Sequence, residues 1–195
     1  MPRNPEQLRR KVLDASIELV AEQGVRAVSF REVARRAGVS HQTPYHHFGN
    51  HRGILRAIAA EGFASLTAAM AEAGKNAVEG GGDAVDALEQ AGVAYVRFAV
   101  DHVGHFRVMF QKTLVEGHED EEPVEEGEET YATLVQMATS VHAAGFGHGT
   151  SIDSIAHIAW STVHGLSTLM IEGKLPIDDE AVRRAVGDFS AMFRR

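Results

Sequence analysis

The residues from Ser29 to Phe48, SFREVARRAGVSHQTPYHHF, constrain what this chain can fold into more than any other stretch. They read as two short helices around a turn at Ala37-Gly38-Val39. Ser29 suits the N-cap of the first helix, and Glu32, three residues on, suits the return half of a capping box. Phe30, Val33, Ala34 and Ala37 recur at i, i+3, i+4 and i+7, one apolar face of about two turns. Gly38 supplies the left-handed conformation that other residues adopt only at a cost. Ser40 is placed to cap the second helix, which carries His41, Gln42, Thr43, Tyr45 and His46 on a body anchored by Phe48. This is the pattern of a helix-turn-helix, whose second helix enters the major groove of DNA.

A net charge of −8 over 195 residues looks wrong for a nucleic-acid binder until it is divided along the chain. Residues 1–60 carry 10 Lys and Arg against 5 Asp and Glu, a net of +5, whereas residues 61–195 carry 9 against 22, a net of −13. A basic head joined to an acidic body implies that the head faces DNA and the body does not. The absence of cysteine excludes a disulfide framework, a zinc finger and thiol chemistry. No unbroken run approaches the ~18 apolar residues of a membrane span, and MPRNPEQLRR lacks a signal-peptide core. The expectation is a soluble cytoplasmic protein without membrane contact.

No strand-like alternation of useful length and no internal repeat is present, so the expected fold is all-α with about nine helices. The first runs from about Pro5 to Gln23, with Leu8, Val12, Leu13, Ala15, Ser16, Leu19 and Val20 inward and Gly24 as its end. Arg3, Arg9, Arg10 and Lys11 at its start suit either a solvated basic end or phosphate contact. Asn50 is placed to cap a long helix from His51 to about Ala73. Gly80-Gly81-Gly82 breaks the chain, a helix from about Asp83 to His102 follows, and Gly104 interrupts it before a short helix ending near Lys112. Glu116 to Glu129 holds nine acidic residues in fourteen and reads as a mobile loop opening into a helix. A cation site there has no ligand spacing to support it. Further helices are expected at about 128–144, about 151–172 and from Asp178 or Asp179 onward. Two domains follow: residues 1–50, a three-helix DNA-binding domain, and residues 51–195, a ligand-binding and dimerisation domain.

Val12-Leu13-Asp14-Ala15 through Leu19 to Gly24, then Ser29 to Ala34, Ala37 to Ser40 and Tyr45-His46-His47-Phe48 resemble the TetR family of bacterial transcriptional regulators. The resemblance covers about residues 8–58 in register. Trp160, His164 and Gly165, in WSTVHG, are similar to the Trp-His-Gly signature of one C-terminal subgroup of that family, and His105 to Phe110 resembles another segment of it in part. The resemblance implies a repressor that binds a near-palindromic double-stranded operator as a homodimer, with the last two helices pairing between subunits and a small-molecule effector in the body. The apolar stripes Ile152–Met170 and Val182–Phe193 suit that pairing.

His41, Gln42 and Thr43, in the first turn of the second helix, are the candidates for reading base edges. Following the resemblance, Tyr45 and His46 meet phosphates, and Ser29, Ser40, His51 and Arg52 complete the DNA-facing set. His51 stands where the family usually has lysine, and histidine carries less charge than lysine at neutral pH. Pro44 lies inside the helix, but close enough to its start that the missing N–H costs little.

Phe98, His102, Phe106, Met109, Phe110, Met137, Trp160 and His164 offer an apolar lining with a few polar points, the usual composition of a small-molecule site. The same side chains also suit ordinary core packing. The body histidines form no metal-binding spacing beyond the seven-residue interval of His157 and His164, so neither metal nor cofactor is expected. A histidine-dependent enzyme with a vestigial DNA head, and a protein-interaction module, are the rival readings. No paired catalytic carboxylates, nucleophile motif or phosphate loop favours an enzyme.

Overall fold

A computed structural model describes residues 4–111, 115 and 125–194. Among the described residues the chain forms nine α-helices and two short 3-10 segments, with no strand. The helices are α1 (Pro5–Gln23), α2 (Phe30–Ala37), α3 (Gln42–Phe48), α4 (His51–Glu79) and α5 (Ala84–Asp101), then α6 (Val103–Met109), α7 (Glu125–Ala143), α8 (Ile152–Ile171) and α9 (Asp179–Ser190). They fall into two compact units, Met1–Phe63 with His102–Gly127, and Ala64–Asp101 with Glu128–Arg195. Most of the acidic run, residues 116–124, and the expected helix end at Lys112 lie outside the described residues; Glu125 onward opens α7.

In the first unit, α1 begins where Asn4 accepts the Glu6 N–H at 3.1 Å, with Pro5 at its first position. It buries Val12, Leu13, Ala15, Ser16, Leu19 and Val20 and packs on α2, α3 and α6. Full burial of such aliphatic side chains is worth ~1.5–3 kcal/mol each, so this face contributes several kcal/mol of gross stabilisation to the unit. Ser29 caps α2 by accepting the Glu32 N–H at 3.3 Å, and Gly38 closes it in the left-handed region at φ 64°. The return half of the expected capping box is not made. Glu32 turns outward to Arg35 and Arg36, at 2.7 and 3.0 Å, because two guanidinium groups outcompete one backbone N–H.

Ser40 also differs from expectation. α3 starts at Gln42 after a turn at His41 that makes no side-chain cap, and the Ser40 hydroxyl pairs with that of Thr43 at 2.9 Å. Asn50, by contrast, caps α4 as expected, accepting the Gly53 N–H at 2.9 Å.

α4 runs to Glu79, beyond the expected end near Ala73. Gly74 does not break it; a Cβ there would come within 3.1 Å of the Met137 methyl and 3.4 Å of the Ala87 carbonyl, so the glycine admits neighbours. The helix stops at the triple glycine, where Gly81 takes φ 90°. Among the described helices α4 alone is long and apolar enough by composition to cross a membrane; 44% of that window is buried inside the fold. The break between α5 and α6 falls at His102 (φ −121°, ψ 47°), not at Gly104. Gly104 sits within α6, where a Cβ would stand 2.4 Å from the Ile17 carbonyl oxygen.

The second unit is centred on Val85, Leu88, Leu134, Ala138, Val141, Ile155, Ala156 and Phe193. α5 packs on α8 and α9, and Gly92 leaves room for Val186 and Val163, whose methyls come within 3.0 and 3.3 Å of where its Cβ would stand. Asp83 and Asp86 form a reciprocal cap at the start of α5: Asp83 accepts the Val85 and Asp86 N–H groups, and Asp86 accepts the Asp83 N–H at 2.9 Å. Arg194 pairs with both carboxylates. The stripes assigned to subunit pairing are largely consumed inside this unit: Ile155, Ala156, Ala159, Val163, Val182, Val186 and Phe193 are all buried. The reason is that α8 and α9 are core helices first.

Gly53 imposes the strictest backbone requirement in the head. A Cβ there would lie 2.0 Å from the carbonyl oxygen of Phe48, the last residue of α3. Gly53→Ala is expected to destabilise the protein by ~1–3 kcal/mol, as overpacking against backbone does. Urea denaturation checks this, and an unchanged midpoint would contradict the tight α3–α4 junction.

Candidate nucleic-acid interface

α3 has seven residues, too few to hold a helix unaided. Its shape comes from Pro44 and Phe48, four apart and both buried, which turn one face inward. Pro44 is therefore a packing residue as well as a tolerated one. The Arg9 guanidinium lies 5.1 Å over the Phe48 ring, pinning the helix to α1. His47 is half-buried beside it; burial, then the nearby His46 and Arg9, hold its ring below the ordinary histidine value.

The opposite face carries Gln42, Tyr45 and His46, spaced i, i+3 and i+4 and all exposed, with His41 exposed just ahead. Tyr45 is 55% exposed, yet its ring meets Phe30 edge-on at 4.6 Å, which fixes its direction while leaving the hydroxyl outward. Thr43 is half-buried and engaged with Ser40. His51 is exposed and Arg52 half-buried at the start of α4, and the Ser29 hydroxyl is occupied as a cap. The structure thus brings His41, Gln42, Tyr45 and His46 onto one exposed surface.

Arg36 ties α2 to α1 through Glu22 at 2.8 Å and also holds Glu32. Hydrogen bonds from Arg35 and Arg36 keep the Glu32 carboxyl at about 2. These pairs are largely solvated and orient the elements more than they stabilise them.

The eight residues read as a body site divide between the units: His102, Phe106, Met109 and Phe110 in the first, Phe98, Met137, Trp160 and His164 in the second. In the second unit the Tyr95 hydroxyl, on α5, is bonded to Trp160 and to His164 Nδ1, the latter at 2.9 Å. The indole N–H is donor only, so the tyrosine oxygen accepts from Trp160 and donates to the neutral imidazole. Tyr131 on α7 adds a ring 5.9 Å from Trp160 and a hydroxyl 3.1 Å from His157 Nε2. Trp160 and His164 are thus joined through Tyr95, and Trp160 and His157 both meet Tyr131; no motif announced either tyrosine. In the first unit sequence reasoning missed Glu61 and assigned His105 no site role; His105 Nε2 lies 3.1 Å from Glu61 Oε1. The interval between His105 and Met109, four apart on α6, was the available signal, since it marks one helix face.

Burial holds His164 below the ordinary histidine value of ~6.5 and raises Tyr95 above the usual tyrosine value. On acidification from ~6.5 downward the unfolded chain therefore takes up a proton at His164 that the folded chain refuses, and stability falls. His47 contributes in the same direction. Melting temperature is expected to drop between about pH 7 and about pH 5.5, and to drop less in His164→Gln. An equal drop in both proteins would contradict the assignment.

Residues 12–58 match the family model described as bacterial regulatory proteins, tetR family, and residues 88–189 match that of the tetracyclin repressor-like C-terminal domain. The HTH-type transcriptional regulator BetI of Rhizobium meliloti (strain 1021) is 43% identical over 51 residues, 26% of this chain and 25% of that protein. The HTH-type transcriptional regulator SrpR of Pseudomonas putida is 34% identical over 55 residues, 28% of this chain and 26% of that protein. The chain thus spans about a quarter of the length of these curated relatives. A solved structure of a protein with unknown function from Rhodococcus sp. RHA1 is similar over 95% of this chain and 93% of that one, at 31% identity and a TM-score of 0.76. A TetR family transcription regulator from Marinobacter aquaeolei VT8 shares the fold, at 17% identity and a TM-score of 0.74 over 98% of both chains. With a family model matched across more than half its length, the chain belongs to the TetR family of bacterial regulatory proteins.

Proposed function

We propose that the protein is a DNA-binding transcription regulator, a ligand-responsive repressor that binds a near-palindromic operator as a homodimer. The observation that carries the reading is the exposed face of α3, Gln42, Tyr45 and His46 with His41 ahead of them, on a helix whose other face is buried. Gln42 suits bidentate pairing with adenine, and His41 and Thr43 suit further base-edge contacts. Tyr45, His46, Ser29, Ser40, His51 and Arg52 suit phosphates, which set register without reading sequence. Residues 1–50 form the DNA-binding domain in this reading, and residues 51–195 bind ligand and dimerise. The Tyr95-linked pair Trp160 and His164 supports membership of the Trp-His-Gly subgroup. The protein acts by binding, without catalysis, in the cytoplasm.

For the homodimer the buried stripes are replaced by what α8 leaves outside. Ile158, Thr162, Gly165 and Leu169 share one face, with Ile158 47% and Leu169 42% exposed. A Cβ at Gly165 would meet nothing within 4 Å, so its own chain gives no packing reason for a mid-helix glycine. Such a glycine costs ~1 kcal/mol relative to alanine, and close approach of a second α8 offsets that cost. Leu169→Asp is expected to convert the dimer to monomer in sedimentation at micromolar concentration, with the helical content unchanged.

Operator selection from random duplexes, followed by titration, tests the DNA reading. Gln42→Ala is expected to cost ~1–3 kcal/mol and relax preference at one base position, whereas Tyr45→Ala weakens all sequences alike. Affinity falls steeply with salt. Unchanged affinity and preference in both variants would overturn the assignment.

A further inference from the structure

The exposed face of α3 carries no side chain of fixed charge. From Ala37 to His51, a stretch that includes the whole helix, the chain has no Lys or Arg and no Asp or Glu. His51 closes the stretch where the TetR family usually has lysine. Yet the sequence-independent part of affinity for duplex DNA comes almost entirely from cations set against phosphates. The head therefore has to take its charge from elements other than the one that reads bases.

Most of the head's cations are already committed. Arg10 is tied to Asp14 and Glu61, Arg35 to Glu32, and Arg36 to Glu22 and Glu32. The Arg9 guanidinium covers the Phe48 ring, and Arg52 and Arg56 have partners of their own. Lys11, Arg26 and Arg31 are exposed and, among the described residues, make no ion pair and no side-chain hydrogen bond. Of these three, Arg31 stands beside the reading face. It follows Phe30, which is buried and whose ring meets Tyr45 edge-on at 4.6 Å, so the contact that directs Tyr45 also fixes the backbone that carries Arg31. Neither Lys11, on α1, nor Arg26, in the 3-10 segment ahead of α2, has an aromatic neighbour of that kind. Arg31 is also the second residue of α2, where the positive end of the helix disfavours a cation. The adjacent Glu32 does not offset this, because its carboxylate turns to Arg35 and Arg36.

We propose that Arg31 is a positioning residue for DNA: its guanidinium grips a backbone phosphate alongside Tyr45 and supplies, from α2, the fixed charge that α3 and His51 lack. The planar guanidinium matches two phosphate oxygens at once. The inference rests on the DNA-binding reading and adds to it a division of labour, in which α3 reads bases and α2 holds the backbone.

The test compares the wild-type chain with Arg31→Gln, Arg31→Lys and Arg26→Gln. Each is titrated onto the selected operator and onto an unrelated duplex of equal length, with salt varied from about 50 to about 200 mM. In Arg31→Gln the slope of log K against log salt is expected to become shallower by about 0.9 per bound head. Both duplexes lose affinity by the same factor, because a phosphate contact reads no sequence. Arg31→Lys keeps the slope, since the charge remains, and loses part of the affinity with the two-oxygen geometry. Arg26→Gln controls for net charge and changes the slope far less. The urea midpoint is expected to be the same in all four proteins, because the Arg31 side chain bonds to nothing in its own chain. An unchanged slope in Arg31→Gln, equal slope changes in Arg31→Gln and Arg26→Gln, or a lowered urea midpoint in Arg31→Gln would overturn the inference. So would a loss confined to the operator, which would make Arg31 a base reader. If the wild type binds both duplexes and Arg31→Gln is indistinguishable from it, the inference fails and the DNA-binding reading stands. If the wild type ignores duplex DNA, both fail.

Discussion

A helix of seven residues cannot maintain itself in water, because nucleation costs more than so few backbone bonds return. α3 exists because Pro44 and Phe48 are buried on one side of it, and the head is arranged to make that burial possible. Val12, Leu13, Leu19 and Val20 give α1 its inward face, Phe30 meets Tyr45 from α2, and Gly53 admits the Phe48 carbonyl against the start of α4. The exposed polar face of α3 is the remainder of this packing. His41, Gln42 and His46 on that face are exposed and take no part in holding the helix, whereas Tyr45 is both exposed and braced by Phe30.

The same separation explains where sequence reasoning succeeded. The α1 bounds, the Ser29 and Asn50 caps and the left-handed Gly38 are local, each set by residues within four positions of one another. What it misjudged depends on distant neighbours. Gly74 and Gly104 look like breaks in one dimension; in three they are contact points for Met137 and Ile17. Glu32 is a local exception: it satisfies the spacing of a capping box but pairs with Arg35 and Arg36, three and four positions on.

The candidate sites divide the same way. The α3 face was legible because its residues are consecutive, and Trp160 with His164 because they are one helical turn apart. Tyr95 lies 69 positions from His164, and Glu61 lies 44 from His105. No periodicity links such pairs, so only the folded chain brings them together. The apolar stripes of α8 and α9 were visible but ambiguous, since a core face and a subunit face have the same composition. Burial distinguishes them: Val163 is spent inside, and Ile158 is left out.

The contacts of the final residues set an order of assembly during synthesis. Phe193 belongs to the core of the second unit with Val85 and Ile155, and Arg194 grips Asp83 and Asp86 at the start of α5. Such long-range closure is slow and waits for the whole segment. The second unit therefore gains its full set of core contacts only once residue 194 has left the ribosome, whereas everything the first unit is built from lies before residue 128. The first unit can be complete while the second is still being made.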